Sequence, residues 1–126
     1  MAAIQQNHYV LAVPDVRLTA DFFVRALGFE IVMEPPGWIF VGRDNCWIML
    51  GECPDAIPPA DLGDHSYFAY LRVDDADAFY AQVVAAGVRP HHPIEDKPWG
   101  LREFGVRTPD GHRIMIGHAL AGRDAR

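Results

Sequence analysis

Six histidines, two cysteines and several segments rich in methionine and aromatics are the residues of this 126-residue chain that could do chemistry. The stretch "PDGHRIMIGH" (109–118) poses the question most directly, because His112 and His118 flank an apolar run with Met115 inside it. Six apart on an extended chain, the two imidazoles share a side but lie roughly 20 Å apart, too far to hold one ion. His91 and His92 are adjacent, so an extended chain points them to opposite faces. His65 lies in a Pro- and Asp-rich connection. Each of these reads as a solvated or hydrogen-bonded surface histidine. Cys46 and Cys53 have neither CxxC nor zinc-ligand spacing and read as two reduced thiols.

The elements that position these residues follow from periodicity. "NHYVLAV" (7–13) predicts a strand. Leu18, Phe22, Phe23, Ala26 and Leu27 then recur at helical spacing, with Thr19 or Asp15 as the cap and Gly28 as the stop. "FEIVM" predicts a short strand, and "WIFVG" and "CWIML" a hairpin around "RDN". The second half repeats the order. "SYFAYLRV" is a strand, and "DDADAFYAQVVAAG" a helix with Phe79, Val83 and Val84 on one face and Gly87 as its stop. "VRPHHPIED" is irregular with room for one short strand. "LREFGVRT" and "HRIMIGH" form a hairpin around "PDG". "AVPDV…ALGF" echoes "RVDDA…AAGV" at an offset of about sixty residues, and such a repeat fixes the architecture.

The fold expected is α+β: two tandem βαβββ modules forming a curved mixed sheet around a cleft, within a single domain. Module 1 runs from about 4 to 52, a linker covers 53–64, module 2 runs from about 65 to 118, and 119–126 is a tail. A concave, partly apolar surface is where a small ligand goes.

The bulk numbers exclude some classes. The formal charge is −6 and no basic cluster stands out, so a nucleic-acid partner is not expected. No run is long enough to span a bilayer, and "MAAIQQNHYV" lacks a signal-like start. A cytoplasmic protein without a membrane partner is the expectation.

The segments "NHYVLAVPD", "FFVRALGFE", "YFAYLRVDDADAFYAQVVAAGV" and "PWGLREFGVRTPDGHRI", in this order, resemble the vicinal oxygen chelate (glyoxalase/bleomycin-resistance/dioxygenase) superfamily over residues 4 to 118. The resemblance implies four possible metal positions. One lies at the start of each module's first strand, usually His, and one in each module's last strand, usually Glu. Carried over, these are His8, Met49, Phe68 and Met115. Only His8 matches. A thioether is too soft for hard divalent ions, Phe cannot ligate, and a lone imidazole is not a site. Shifting the second module's first strand by one residue would put Tyr67 there, and by three His65; neither restores an acid. No metal and no cofactor are expected.

Alternation then assigns the cleft lining. Trp47 and Met49 face in, while Ile48 and Leu50 face the helices. Pairing across "RDN" adds Phe40 and Trp38. Phe68 and Tyr70 join from the second module with Met115, and Trp99 from its Pro/Gly loop. Such side chains suit planar or irregular ligands, although a plain apolar core would use the same positions. His8, Arg102 and Glu103 complete the candidate ligand contacts; Arg102 and Glu103 alternate, so one faces in, and pairing favours Glu103. An inward Glu103 would bind a cationic ligand, act as a base, or form a salt bridge to Arg107 or Arg113.

The function expected is that of a metal-free small-molecule-binding protein resembling bleomycin-resistance proteins, in which a planar or cationic drug-like ligand is sequestered in an aromatic cleft. Homodimerisation is implied by the resemblance. No residue is assigned a catalytic role. The alternatives are a glyoxalase-type lyase, isomerase or dioxygenase, which lacks its acids here unless Glu103 and His8 move a proton, and an interaction module with a vestigial cleft.

Overall fold

The computed structural model describes residues 3–63 and 66–120, the side chain of Ala60 excepted. His65 lies outside the described residues. The order is β1 (Asn7–Val13), α1 (Val16–Leu27), β2 (Glu30–Met33), β3 (Trp38–Arg43), β4 (Cys46–Glu52), a 3-10 turn at Pro59–Leu62, β5 (Tyr67–Arg72), α2 (Ala76–Ala85), β6 (His92–Asp96), β7 (Leu101–Arg107) and β8 (Arg113–Ala119). These make two four-stranded mixed sheets, ordered β1-β4-β3-β2 and β5-β8-β7-β6. In each, the first strand runs parallel to the last and the other pairs are antiparallel. The fold is thus α+β with two tandem βαβββ modules, divided into compact units between Pro58 and Pro59. Among the described residues no helix is long and apolar enough to cross a membrane.

Each module is built around one helix packed on one sheet face. Asp15 caps α1, its carboxylate accepting from the Leu18 N–H at 3.0 Å. Gly28 ends it at φ 73°, a left-handed geometry that favours glycine. Phe22, Phe23, Ala26 and Leu27 are buried, as are Ile39, Val41, Ile48 and Leu50 of β3 and β4. Burying each large apolar side chain contributes about 1.5–3 kcal/mol. In the second module Asp75 caps α2 through the Ala78 N–H, and His118 Nδ1 accepts from the Ala76 N–H at 2.7 Å. Phe79 and Val83 are buried along with Phe104, Val106, Ile114 and Ile116. The irregular stretch before β7 does hold one strand, β6, which starts at the second histidine of the His91–His92 pair.

Candidate functional site

Because the buried face of each sheet goes to its helix, strand alternation leaves a second face whose side chains are free for other work. In the first module this face carries His8 and Val10 of β1, Trp47 and Met49 of β4, and Trp38 and Phe40 of β3. The register sets His8 beside Trp47, Val10 and Phe40 on either side of Met49, and Trp38 beside Gly51. Their burial alternates with the fully buried Ile48 and Leu50. The His8 and Trp47 rings lie 5.1 Å apart, and Trp38 meets Phe40 edge-on at 6.1 Å. Both indoles fold over glycines. A Cβ on Gly51 would come within 2.9 Å of the Trp38 ring, and one on Gly42 within 3.0 Å of Trp47 Nε1. The strand glycines are what let these rings lie flat on the sheet.

The second module's face is more polar. Tyr70 of β5 pairs with Met115 of β8, Met115 faces Gly105 of β7, and Glu103 faces Gly117. Glu103 is only 5% exposed. Its Oε1 accepts from the Tyr70 hydroxyl at 2.9 Å and from the Trp99 indole N–H at 3.1 Å. Burial, then the hydrogen bond to Glu103, then the charge of Glu103 push the Tyr70 phenol well above its ordinary pKa. Trp99 itself is 59% exposed, so its indole spans from a buried carboxylate to solvent. Lys97 lies 5.8 Å from the Trp99 ring centroid but pairs with Glu95. Among the described residues no cation is paired with Glu103, and the salt bridge to Arg107 or Arg113 entertained from sequence does not form.

Two of the candidate ligand residues, Arg102 and Phe68, lie off this face. Arg102 projects to the helix side, where Nε donates to Asp77 Oδ1 at 3.0 Å and Nη1 to Asp96 Oδ1 at 2.9 Å. Phe68 falls at a register shift between Tyr67 and Ala69, which pair with the consecutive residues Arg113 and Ile114. The bulge spends Phe68 as the extra residue and removes it from the alternation. Its ring sits edge-on to His112. Tyr67 instead takes the position on β5 that His8 holds on β1, with Arg113 6.0 Å from its ring centroid. The one-residue shift weighed from sequence for the second module's first strand is the arrangement found, with Tyr67 on the face, whereas Val10, His92 and the strand glycines 42, 51, 105 and 117 were passed over. Isolated glycines inside apolar strands were the available signal for the last group.

The family-type metal positions can be judged by their donors. The first module offers the His8 imidazole and the Met49 thioether, and the second the Tyr67 phenol and the Met115 thioether. No carboxylate stands at any of them, and one imidazole with one phenol falls short of the three or more nitrogen, oxygen or thiolate ligands by which a protein holds a divalent ion. Among the described residues no three of His, Cys, Asp and Glu come together to hold an ion. The donor set does not fit a resident divalent metal.

The family model described as Glyoxalase/Bleomycin resistance protein/Dioxygenase superfamily matches residues 5–116. The chain belongs to that superfamily. Within it, the bleomycin resistance protein of Geobacillus stearothermophilus is 25% identical over 124 residues, covering 88% of this chain and 94% of the relative. A bleomycin-binding protein solved in complex with bleomycin is 28% identical with a TM-score of 0.76, covering 91% of this chain and 98% of that one. TnmS3, an antibiotic-binding protein from Streptomyces sp. CB03234, is 26% identical with a TM-score of 0.76, covering 94% and 98%. The superfamily member described here is thus similar, along nearly its whole length, to proteins of the bleomycin-resistance branch.

Proposed function

We propose that this superfamily member is a metal-free small-molecule-binding protein that sequesters a planar, cationic drug-like compound on its aromatic sheet faces. The observation that carries the reading is Glu103. A carboxylate 5% exposed, held by two neutral donors on one oxygen, in no ion pair among the described residues and with the Lys97 ammonium acting on it only from beyond ion-pair distance, leaves room for a cationic group of a ligand. Trp99 and Tyr70 border it with aromatic surface on which a flat ligand stacks, each such contact adding about 0.5–1.5 kcal/mol beyond burial. Similarity to a bleomycin-binding and an antibiotic-binding protein supports the same class of ligand. The cytoplasmic homodimer expected from sequence is part of this reading, and exposed Trp38, Ile31, Val32 and Met33 support self-association.

Tryptophan fluorescence, titrated with bleomycin and with a panel of planar cations, tests the proposal. Saturable quenching is expected for at least one cationic aromatic compound. Absence of quenching across the panel overturns it. Sedimentation should give twice the chain mass, and a monomer at high micromolar concentration would remove the dimer from the reading.

A further inference from the structure

At the opposite end of the same face of the second sheet, Arg107 of β7 and Arg113 of β8 are direct cross-strand partners. Like charges set opposite each other destabilise a sheet unless something neutralises them. No carboxylate among the described residues is paired with either guanidinium. Arg113 donates through Nη1 to the Gly63 carbonyl at 3.1 Å, and its Nε is buried with no hydrogen-bond partner among the described residues. Among the described residues Arg107 Nη2 meets the His91 imidazole, at 3.5 Å. The His91 and His92 rings lie 4.2 Å apart, and His92 Nε2 sits 3.2 Å from the Tyr67 hydroxyl. Burial, followed by the positive charges of Arg107, His92 and Arg113, holds His91 below its ordinary pKa.

We infer that Arg107 and Arg113, flanked by Tyr67 and His92, form an oxyanion subsite that takes a carboxylate, sulfonate or phosphate group of the bound small molecule. The inference rests on the binding reading above and adds a chemical group to its ligand. In a chain of net charge −6, two adjacent guanidiniums without a described carboxylate are a local exception. Guanidiniums bind planar oxyanions through paired N–H donors, which an imidazole or phenol can extend. Glu103 and Arg107 are four residues apart on β7, about 13 Å along the strand. Met115 lies between them, its Sδ 3.0 Å from where a Gly105 side chain would begin. The face therefore suits an amphoteric guest, cationic at one end, anionic at the other and apolar over Met115.

The test uses the full chain and two probes sharing one ring system, 2-naphthoate and neutral 2-naphthalenemethanol, measured by calorimetry. Naphthoate is expected to bind about tenfold tighter than the alcohol. Arg107→Gln and Arg113→Gln should each narrow that gap to under threefold, whereas Arg17→Gln, a surface arginine of the first module, should keep it. Arg107 is exposed, so its replacement leaves the fold in place even if Arg113→Gln does not. The subsite is overturned if naphthoate binds no tighter than the alcohol, or if Arg107→Gln keeps the full gap. Alcohol binding without a naphthoate advantage overturns the subsite alone. If neither these probes nor 2-naphthylmethylammonium binds, the binding reading fails and the subsite falls with it.

Discussion

Glu103 separates binding from folding at the scale of one residue. In Glu103→Gln the amide oxygen still accepts from Tyr70 and Trp99, so the substitution removes charge and leaves the hydrogen bonds. Chemical denaturation should place its stability within about 1 kcal/mol of the wild type, since the lost buried charge had no paired cation to lose. Affinity for 2-naphthylmethylammonium should fall about tenfold or more, as expected for losing a hydrogen bond to a charged group. A variant that unfolds easily yet binds the cation normally would make Glu103 a structural residue. Absorbance titration should also move the Tyr70 ionisation down, while burial, the largest cause, keeps it above 10.0. His91 gives a second handle. Its imidazole titrates below 6.5 in the folded chain. The unfolded chain therefore binds the extra proton first, so lowering the pH from 6.5 through the depressed value removes stability that is fully present above 6.5. His91→Gln should flatten that acid-side slope, and identical slopes in the two proteins would count against the assignment. Much of this was legible in the sequence, because a period of two separates Trp47 and Met49 from Ile48 and Leu50, and the "PDG" hairpin puts Glu103 on the face of Met115. The bulge at Phe68 was not legible. One extra residue leaves no mark on composition, yet it exchanges Phe68 for Tyr67 and thereby turns a non-polar position into part of a polar cluster.

At the scale of elements, the strand glycines and the helix caps make the sharpest predictions. A Cβ on Gly117 would sit 2.9 Å from both the Arg102 carbonyl oxygen and Glu103 Cβ and would strike the Tyr70 hydroxyl. Backbone cannot swing away, so β7 and β8 must part. Gly117→Ala should cost about 1–3 kcal/mol and weaken cation binding with it. Gly51→Ala meets the Trp38 ring first, a side chain that can move, and should cost less in urea titrations. Equal costs at the two glycines would mean that the Arg102 carbonyl imposes no constraint. Asp15→Ala removes the α1 cap and should cost about 0.5–2 kcal/mol. The helices were the most legible elements, since Asp15, Gly28 and the Phe22–Leu27 stripe mark start, stop and buried face. β6 was the least, because its five residues, "HPIED", carry one Pro and three charged or histidine side chains and show no alternation. Pairing with β7, a tertiary term, makes it a strand.

At the scale of the whole molecule, the question is whether a superfamily that includes metal enzymes has here left a protein that only binds. The fold carries no answer, since one architecture hosts both. The donor atoms do. Each module keeps its two family positions on the face opposite its helix, and fills them with His8 and Met49 or with Tyr67 and Met115. A site of that composition has neither the carboxylates that neutralise a divalent ion nor the number of imidazoles that would replace them. Binding to such a face should be linked to folding alone. A ligand at about one hundred times its dissociation constant should stabilise the chain by about 2.7 kcal/mol, and that shift should be the same after treatment with a chelator. Chain purified without chelator and dialysed against zinc, manganese, nickel or iron should retain far less than one ion per chain by elemental analysis. Near-stoichiometric metal, or a ligand-induced shift that vanishes with chelator, would overturn the metal-free reading, because these thioethers and the phenol would then have to ligate against their chemistry.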